Sequence, residues 1–260
     1  MPLSDYSLAD FTAGPYTRPV YRRGTGPAVI VIHEVPALHT LVIDFADRLA
    51  AAGMTAICPS LFGTPGSEPT KAAAAKQLFL NICIRREFSA WRDSRSSPIV
   101  DWLRALAKQA HAECGGPGVG AVGMCFTGGF ALAMMTEPSV VAPVLSQPSL
   151  PIRGAMTGSI DATSDEIACA RRRFEAEDLS LLALRYRSDK LVPDARFRRY
   201  EREFPGRVES IELDDEHARA GTGMAPHSVL TVHLPDSGPG KAAETRVIDF
   251  LRMRLGLSPS

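Results

Sequence analysis

The stretch that decides the fold is residues 118–135, GVGAVGMCFTGGFALAMM. Its first part, residues 119–122, is a run of β-branched and small residues that predicts a buried strand. A helix is predicted over residues 128–135. Between the two lies a single cysteine, Cys125, in a turn flanked by glycines. A strand that ends in such a turn and continues into a helix is typical of a nucleophile elbow, in which a strained turn lifts one side chain above the sheet.

The glycine spacing of this turn is close to the usual elbow pattern but departs from it at one position. Gly123 precedes Cys125 and Gly128 follows it, whereas the strict pattern has a glycine where this chain has Thr127. We expect the N–H groups and dipole of the following helix to favour the thiolate of Cys125, which is the nucleophilic form. By position alone, Cys125 could equally be a small residue that fills space behind a βα turn.

The composition is that of an ordinary globular protein. Of the 260 residues, 45% are hydrophobic and 22% are charged, and we expect one domain over residues 1–260. Lys+Arg and Asp+Glu are 29 each, so the net charge is zero, which argues against nucleic-acid and anionic membrane partners. The first residues lack the pattern of a signal peptide, and no apolar run is long enough to cross a bilayer. We therefore expect a cytoplasmic protein.

The five cysteines, at positions 58, 83, 114, 125 and 169, form no C-x-x-C pair. Their wide spacing predicts neither a zinc site nor a disulfide framework. We expect most of them to be reduced and buried, and we expect no metal ion or organic cofactor.

Strand and helix patterns alternate along the rest of the chain. Strands are predicted at residues 28–33, 54–58, 119–122, 140–146, 181–186 and 208–213. Further helices are predicted at residues 41–52, 71–84, 97–112, 165–176, 193–204 and 242–255. Residues 1–27 are expected to form short antiparallel pieces at one edge. This alternation predicts an α/β fold with a mostly parallel sheet and helices on both faces.

A nucleophile elbow needs an acid and a base, which follow it in the chain in that order. Asp189 comes shortly after a predicted strand, where it could lean over the carboxyl edge of the sheet or cap the next helix. His227 is the preferred base, because a proline introduces it and an apolar run follows it. His217, among acidic residues directly after its strand, is the alternative. His233 is expected at the surface.

Another set of candidate residues follows the first buried strand. Glu34 comes directly after that strand and would overhang the same edge of the sheet as Cys125, although a lone glutamate more often caps a helix or forms a salt bridge. The backbone N–H groups of Val35 and Phe126 could together bind an oxyanion.

With these residues assembled, the chain resembles the dienelactone hydrolase family, a branch of the α/β-hydrolases that uses cysteine in place of serine. The matching pieces are VIHEVPAL, GAVGMCFTGG, RSDKLVP and HSVLT, in the order of the family, between residues 29 and 231. The resemblance implies an α/β-hydrolase fold and the opening of a small lactone or the cleavage of a small carboxylic ester through a cysteine acyl-enzyme.

The resemblance also implies roles for individual residues. It makes Cys125 the nucleophile, Asp189 the acid and His227 the base, and it implies that Glu34 contacts the resting thiol and helps to form the thiolate. The family uses arginines to hold the carboxylate of its substrate. Arg86 or its neighbour Arg85 matches one of them, but Thr231 stands at the position of another. The loss of an arginine there is expected to change which acids bind.

Two other functions remain open at this stage. The same residues suit a carboxylesterase or thioesterase with a different acyl group. A non-catalytic receptor for a small ligand could keep the same fold and use Cys125 as a sensor. In each case the expected partner is a small molecule, and the protein is expected to be a monomer or a small homo-oligomer.

Overall fold

One eight-stranded sheet carries the fold in a computed structural model that describes residues 3–70, 72–73, 77, 96–149 and 158–258. The strands are β1 (Ser7–Ala13), β2 (Tyr16–Arg23), β3 (Ala28–Ile32), β4 (Thr55–Pro59), β5 (Val119–Met124), β6 (Val140–Ser146), β7 (Leu181–Tyr186) and β8 (Val208–Leu213). Their order across the sheet is β1-β2-β4-β3-β5-β6-β7-β8. The pairs from β4 to β8 are parallel, whereas β2 is antiparallel to both β1 and β4.

The helices of the described residues are α1 (Thr40–Ala51), α2 (Pro98–Cys114), α3 (Phe130–Ala133), α4 (Ser164–Ala176), α5 (Asp194–Glu203) and α6 (Pro239–Arg254). Ion pairs link two pairs of these helices. Arg48 of α1 bonds Glu244 of α6, and Arg104 of α2 bonds Glu166 of α4. The connection from β3 to β4 leads towards the β1 edge of the sheet, whereas the connections from β5 to β8 lead towards the β8 edge. Because parallel crossovers are right-handed, these connections lie on opposite faces of the sheet.

The reversal of strand order beside β3 and β5 decides where a ligand can bind. Both strands are fully buried, as expected for parallel strands covered on both faces. In open parallel sheets, the crevice for a ligand lies beyond the carboxyl ends of the strands at such a reversal. The residues that follow β3 and β5 are therefore the first place to look for a site.

The structure confirms most of the predicted elements. The strands at residues 140–146, 181–186 and 208–213 have the predicted bounds, and β1 and β2 form the predicted antiparallel edge. The predicted helix at residues 71–84 lies largely outside the described residues. The helix predicted over about residues 128–135 is confirmed in part: its α-helical portion, α3, has only four residues and lies between the 3₁₀ turns Cys125–Thr127 and Met134–Thr136.

The prediction that most cysteines are buried is wrong. Of the four cysteines that the structure describes, all are free thiols, and Cys58 alone is buried. Among the described helices, none has the length and apolar character needed to cross a membrane.

Candidate active site

Cys125 follows the last residue of β5 and adopts a strained backbone conformation. Its φ is 54°, in the left-handed region that residues with a side chain rarely adopt. The chain turns there into the 3₁₀ turn Cys125–Thr127. Gly123 makes this turn possible, because a Cβ at that position would lie 2.3 Å from the Thr127 carbonyl oxygen. The predicted nucleophile elbow is therefore present as a backbone feature.

The position of the second elbow glycine has a steric cause. A Cβ on Gly128 would lie 2.5 Å from the Cα of Pro148, so this position has no space for a side chain. Thr127 instead points inward, where its Oγ1 donates to the Ile32 carbonyl at 2.8 Å and accepts from the Met124 N–H at 3.1 Å. Its hydroxyl thus connects the end of β3 to the elbow, which explains a threonine where the strict pattern has glycine.

The α-helix after the elbow is too short for a large dipole, by which it was predicted to favour the thiolate of Cys125. The sequence predicted that a continuous helix would direct its dipole at Cys125. Four α-helical residues make a small dipole, since it is the sum of aligned peptide units.

The structure brings the predicted acid and base into contact. Asp189 lies in the turn after β7, and its Oδ2 is 2.6 Å from Nδ1 of His227. Its other oxygen, Oδ1, accepts from the Leu191 N–H at 2.9 Å. Since a carboxylate can only accept, Nδ1 of His227 carries the proton and Nε2 is the atom available as a base.

His227 in turn interacts with Cys125. Nε2 of His227 is buried and has no aligned hydrogen-bond partner among the described residues, but Cys125 is close enough to act on the ring by its charge and as a hydrogen-bond partner. Burial acts to lower the pKa of His227, yet the negative charge at Cys125 and the hydrogen bond to Asp189 outweigh it and raise that pKa well above its usual value. The structure thus orders the three side chains as Asp189, His227 and Cys125, with the imidazole between the carboxylate and the sulfur.

The structure does not bring His217 to this acid. His217 lies in the 3₁₀ turn Asp215–His217, and its Nε2 is 3.7 Å from the carboxylate of Glu216. Asp189 is paired with His227. Of the two predicted candidates, His227 therefore has the geometry of a base.

The prediction of a surface position for His233 is wrong. This residue is only 2% exposed, and its Nδ1 accepts the backbone N–H groups of His227 at 3.3 Å and of Ser228 at 3.1 Å. Burial and the nearby charge of His227 lower the pKa of His233. An uncharged His233 thus holds the backbone of the candidate base, a role that a position in the sequence does not reveal.

Glu34 is fully buried at the end of β3, and four side chains bond to its carboxylate. Oε1 accepts from Nε2 of His39 at 3.2 Å and from the hydroxyl of Thr231. Oε2 accepts from the hydroxyl of Ser228 at 2.7 Å and from the amide of Gln147 at 3.0 Å. Burial alone would raise the pKa of Glu34, but these hydrogen bonds lower it to about 2.

These bonds differ from the contact that the resemblance implied. Among the described residues, the hydrogen-bond partners of the Glu34 carboxylate are His39, Gln147, Ser228 and Thr231, and Cys125 is not one of them. Thr231, which stands where the family has an arginine, is thus bonded to Glu34.

Sequence reasoning missed two residues that follow β6. Ser149 has its Oγ 3.3 Å from Sγ of Cys125. Gln147 is fully buried with a φ of 34°, and its amide bonds Glu34 while its Oε1 accepts the Val229 N–H at 3.2 Å. Both come directly after a buried strand, as Glu34 and Cys125 do. The rule that carboxyl ends of parallel strands share one edge would have found them.

The remaining predicted residues are placed as follows. Val35 follows Glu34 at the end of β3, and Phe126 lies in the elbow turn with its ring 5.9 Å from that of Phe130. Binding of an oxyanion by their N–H groups stays a prediction. Arg85 and Arg86 lie outside the described residues. Within the described part of the chain, no group of three or more His, Cys, Asp or Glu side chains is placed to hold a metal ion.

Comparison with known proteins decides the family. The model of the dienelactone hydrolase family matches residues 15–158, more than half of the chain. The chain belongs to the dienelactone hydrolase family. The match includes Glu34 and Cys125 but ends before Asp189 and His227. Membership of this family supports a hydrolase with a small-molecule substrate. A search of curated proteins found no match.

Solved structures similar to this family member share its fold along nearly the whole chain. A dienelactone hydrolase-like promiscuous phosphotriesterase from metagenomic libraries is 17% identical, with 96% of this chain and 98% of that chain covered and a TM-score of 0.64. The dienelactone hydrolase of Anabaena variabilis is 13% identical, with coverages of 96% and 98% and a TM-score of 0.63. A cold-adapted esterase from an Arctic intertidal metagenomic library is 13% identical, with coverages of 96% and 94% and a TM-score of 0.60. These likenesses show the α/β-hydrolase fold.

Proposed function

We propose that this protein hydrolyses small carboxylic esters or lactones through an acyl-enzyme on Cys125. The observation that carries the proposal is the 2.6 Å contact of Asp189 with Nδ1 of His227, because it leaves Nε2 of that ring for the sulfur. The raised pKa of His227, caused in part by the charge of Cys125, supports proton transfer between the two side chains.

The reaction divides into two halves. In the first, the sulfur anion of Cys125 attacks the ester carbonyl carbon, and the backbone N–H groups of Val35 and Phe126 bind the oxyanion of the tetrahedral intermediate. The C–O bond to the leaving group breaks, and protonated His227 donates its proton to the departing oxygen. A thioester on Cys125 remains.

In the second half, a water molecule attacks the thioester. Neutral His227 removes a proton from the water while Asp189 fixes the tautomer of the ring and stabilises the imidazolium that forms. The C–S bond breaks and the carboxylic acid leaves. Cys125 returns to its anionic form beside protonated His227, so protons and electrons balance over the cycle.

Thr231 bears on the choice of substrate. Its hydroxyl is bonded to Glu34 in a buried position, so position 231 offers no cation to a substrate carboxylate. An arginine–carboxylate contact is charge-assisted and can be bidentate, which makes its absence a large difference. We therefore expect that uncharged esters and lactones react at least as well as those that carry a carboxylate near this position.

The test is turnover of a substrate panel by the wild type and by Cys125→Ala. The panel contains a lactone, p-nitrophenyl esters, a thioester and a phosphotriester, which separates lactonase, carboxylesterase and thioesterase activities. Cys169→Ala is the matched control, because Cys169 is also a partly exposed free thiol. C125A is expected to lose turnover while C169A keeps it. Wild-type turnover by C125A would contradict the mechanism, and ligand binding without any product would indicate a receptor.

A further inference from the structure

The hydroxyl of Ser149 lies within hydrogen-bond distance of the sulfur of Cys125. Its Oγ lies 3.3 Å from Sγ, and its backbone N–H donates to the Cys125 carbonyl at 2.9 Å. Ser149 is 7% exposed, so water competes little for its hydroxyl. The two contacts together fix the serine relative to both the backbone and the side chain of the candidate nucleophile.

The loop that carries Ser149 is held from behind by a buried guanidinium. Arg196 of α5 has no exposed surface, and its Nη1 donates to the Pro148 carbonyl at 2.7 Å and to the Leu191 carbonyl at 2.8 Å. Pro148 precedes Ser149, and Leu191 lies in the loop of Asp189. Arg196 thereby ties the loop of the serine to the loop of the acid, which limits the freedom of Ser149 to leave the sulfur.

Glu34 is bonded elsewhere. All four of the hydrogen bonds described for its carboxylate come from His39, Gln147, Ser228 and Thr231. Moving this carboxylate to the sulfur would leave several buried donors without an acceptor, which is costly in the protein interior. The resting sulfur is therefore contacted by a serine hydroxyl and not by the glutamate.

We propose that Ser149 is a positioning residue that donates its hydroxyl hydrogen to the sulfur of Cys125 and holds it beside His227. The inference rests on the proposed function of Cys125 as nucleophile. The thiol proton moves from the sulfur to Nε2 of His227, which leaves a sulfur anion and an imidazolium and changes no other bond. The Ser149 O–H then points at the anion, since an anionic sulfur accepts more strongly than a thiol.

The charged groups on the elements around the candidate nucleophile come from four places besides its own turn. His227 lies in the loop after β8, Asp189 lies behind it in the turn after β7, Glu34 lies at the end of β3, and Arg196 lies on α5 behind Ser149. Ser149 itself does not titrate. A hydrogen bond to a charged group changes the equilibrium between the protonated and the ionised form by about 10- to 100-fold. Its removal is therefore expected to raise the pH at which the Cys125 anion forms by about one to two pH units.

The experiment titrates the sulfur without substrate. The ultraviolet absorbance of the thiolate is followed against pH, with C125A subtracted to remove the other cysteines, and iodoacetamide alkylation of Cys125 is followed by peptide mass spectrometry. The variants are Ser149→Ala and the isosteric pair S149T and S149V, which differ only in the hydroxyl. Ser139→Ala is the control, because Ser139 has the same 7% exposure and bonds Glu137 instead.

The expected result is that S149A and S149V form the anion at higher pH, while S149T and S139A titrate like the wild type. Glu34→Gln removes a nearby negative charge, so in its folded fraction this variant is expected not to raise the pH at which the anion forms. The inference is overturned if S149V titrates like S149T, or if E34Q raises that pH as S149V is expected to do. Because no substrate is present, a protein that titrates as expected but hydrolyses no ester contradicts the proposed function and leaves this inference standing.

Discussion

Replacing Glu34 by glutamine removes a buried charge that four side chains stabilise. The hydrogen bonds to this carboxylate lower its pKa from an ordinary value of 4.5 to about 2, against the effect of burial. Each tenfold change in proton affinity corresponds to about 1.4 kcal/mol. The ionised carboxylate of Glu34 is therefore more stable in the folded protein than in the unfolded chain by about 3 kcal/mol. E34Q is expected to lose about this much free energy of unfolding near neutral pH, because removing one partner leaves buried donors unpaired.

The pH dependence of stability distinguishes loss of the Glu34 charge from a simple packing defect in E34Q. Since the native pKa is depressed, the stabilisation is complete above about pH 4.5 and is lost as the pH falls towards about 2. The stability difference between the wild type and E34Q should therefore shrink on acidification. A packing defect would cost the same at every pH.

Urea unfolding of both proteins at several pH values measures this difference. Glu113→Gln is the control: Glu113 is 40% exposed and pairs with Arg22 at the surface, where an ion pair contributes about 0–1 kcal/mol. A stabilising role of the Glu34 charge is refuted if E34Q is as stable as the wild type near neutral pH, or if the stability difference grows as the pH falls.

Three further changes test other parts of the site. Thr127→Val removes the hydroxyl that connects β3 to the elbow and should cost about 1–3 kcal/mol in urea unfolding, whereas Thr127→Ser should cost less; equal stabilities would contradict the role of the hydroxyl. His233→Phe leaves the N–H groups of His227 and Ser228 without their acceptor and should lower kcat more than His233→Gln, which keeps an acceptor; equal kcat values would argue against this anchoring. Asp189→Asn should lower kcat by about 1,000-fold or more, because the amide no longer fixes the tautomer of His227; a loss of less than about tenfold would remove Asp189 from the mechanism.

The sequence predicted the sheet well because buried parallel strands leave a local signal. Runs such as Val140–Ser146 and Leu181–Tyr186 are mostly apolar, since both faces of these strands are covered, and each run coincides with one strand. The elbow also leaves a local signal, because close backbone contacts require glycine at two positions beside Cys125. Gly123 lies against the backbone of Thr127, and Gly128 lies against the backbone of Pro148.

The sequence did not predict that the α-helix after the elbow would be only four residues long. Residues 128–135 are apolar throughout, and this pattern fits an α-helix and a chain of 3₁₀ turns equally well. Gly129 packs against Asp161, where a Cβ would lie 2.3 Å from the Cβ of that residue. This contact comes from a loop more than thirty positions away and has no local signature.

The environment of Glu34 was unpredictable because its partners come from distant parts of the chain. Gln147, Ser228 and Thr231 are separated from it by 113, 194 and 197 positions. The burial of His233 has the same origin, since the loop that precedes it folds back on its imidazole. The family resemblance predicted which residues gather at this edge of the sheet, but hydrogen bonding among them depends on the tertiary fold.

Peptide mass spectrometry tests most directly whether Cys125 carries a covalent acyl group during turnover. The protein is mixed with an activated ester, quenched in acid at successive times and digested, and the peptides that contain Cys125 and Ser149 are resolved. The account predicts an acyl group on Cys125 that forms and decays at rates able to support steady-state turnover. Ester turnover with no acyl group on Cys125, or with the acyl group on Ser149 alone, would contradict it.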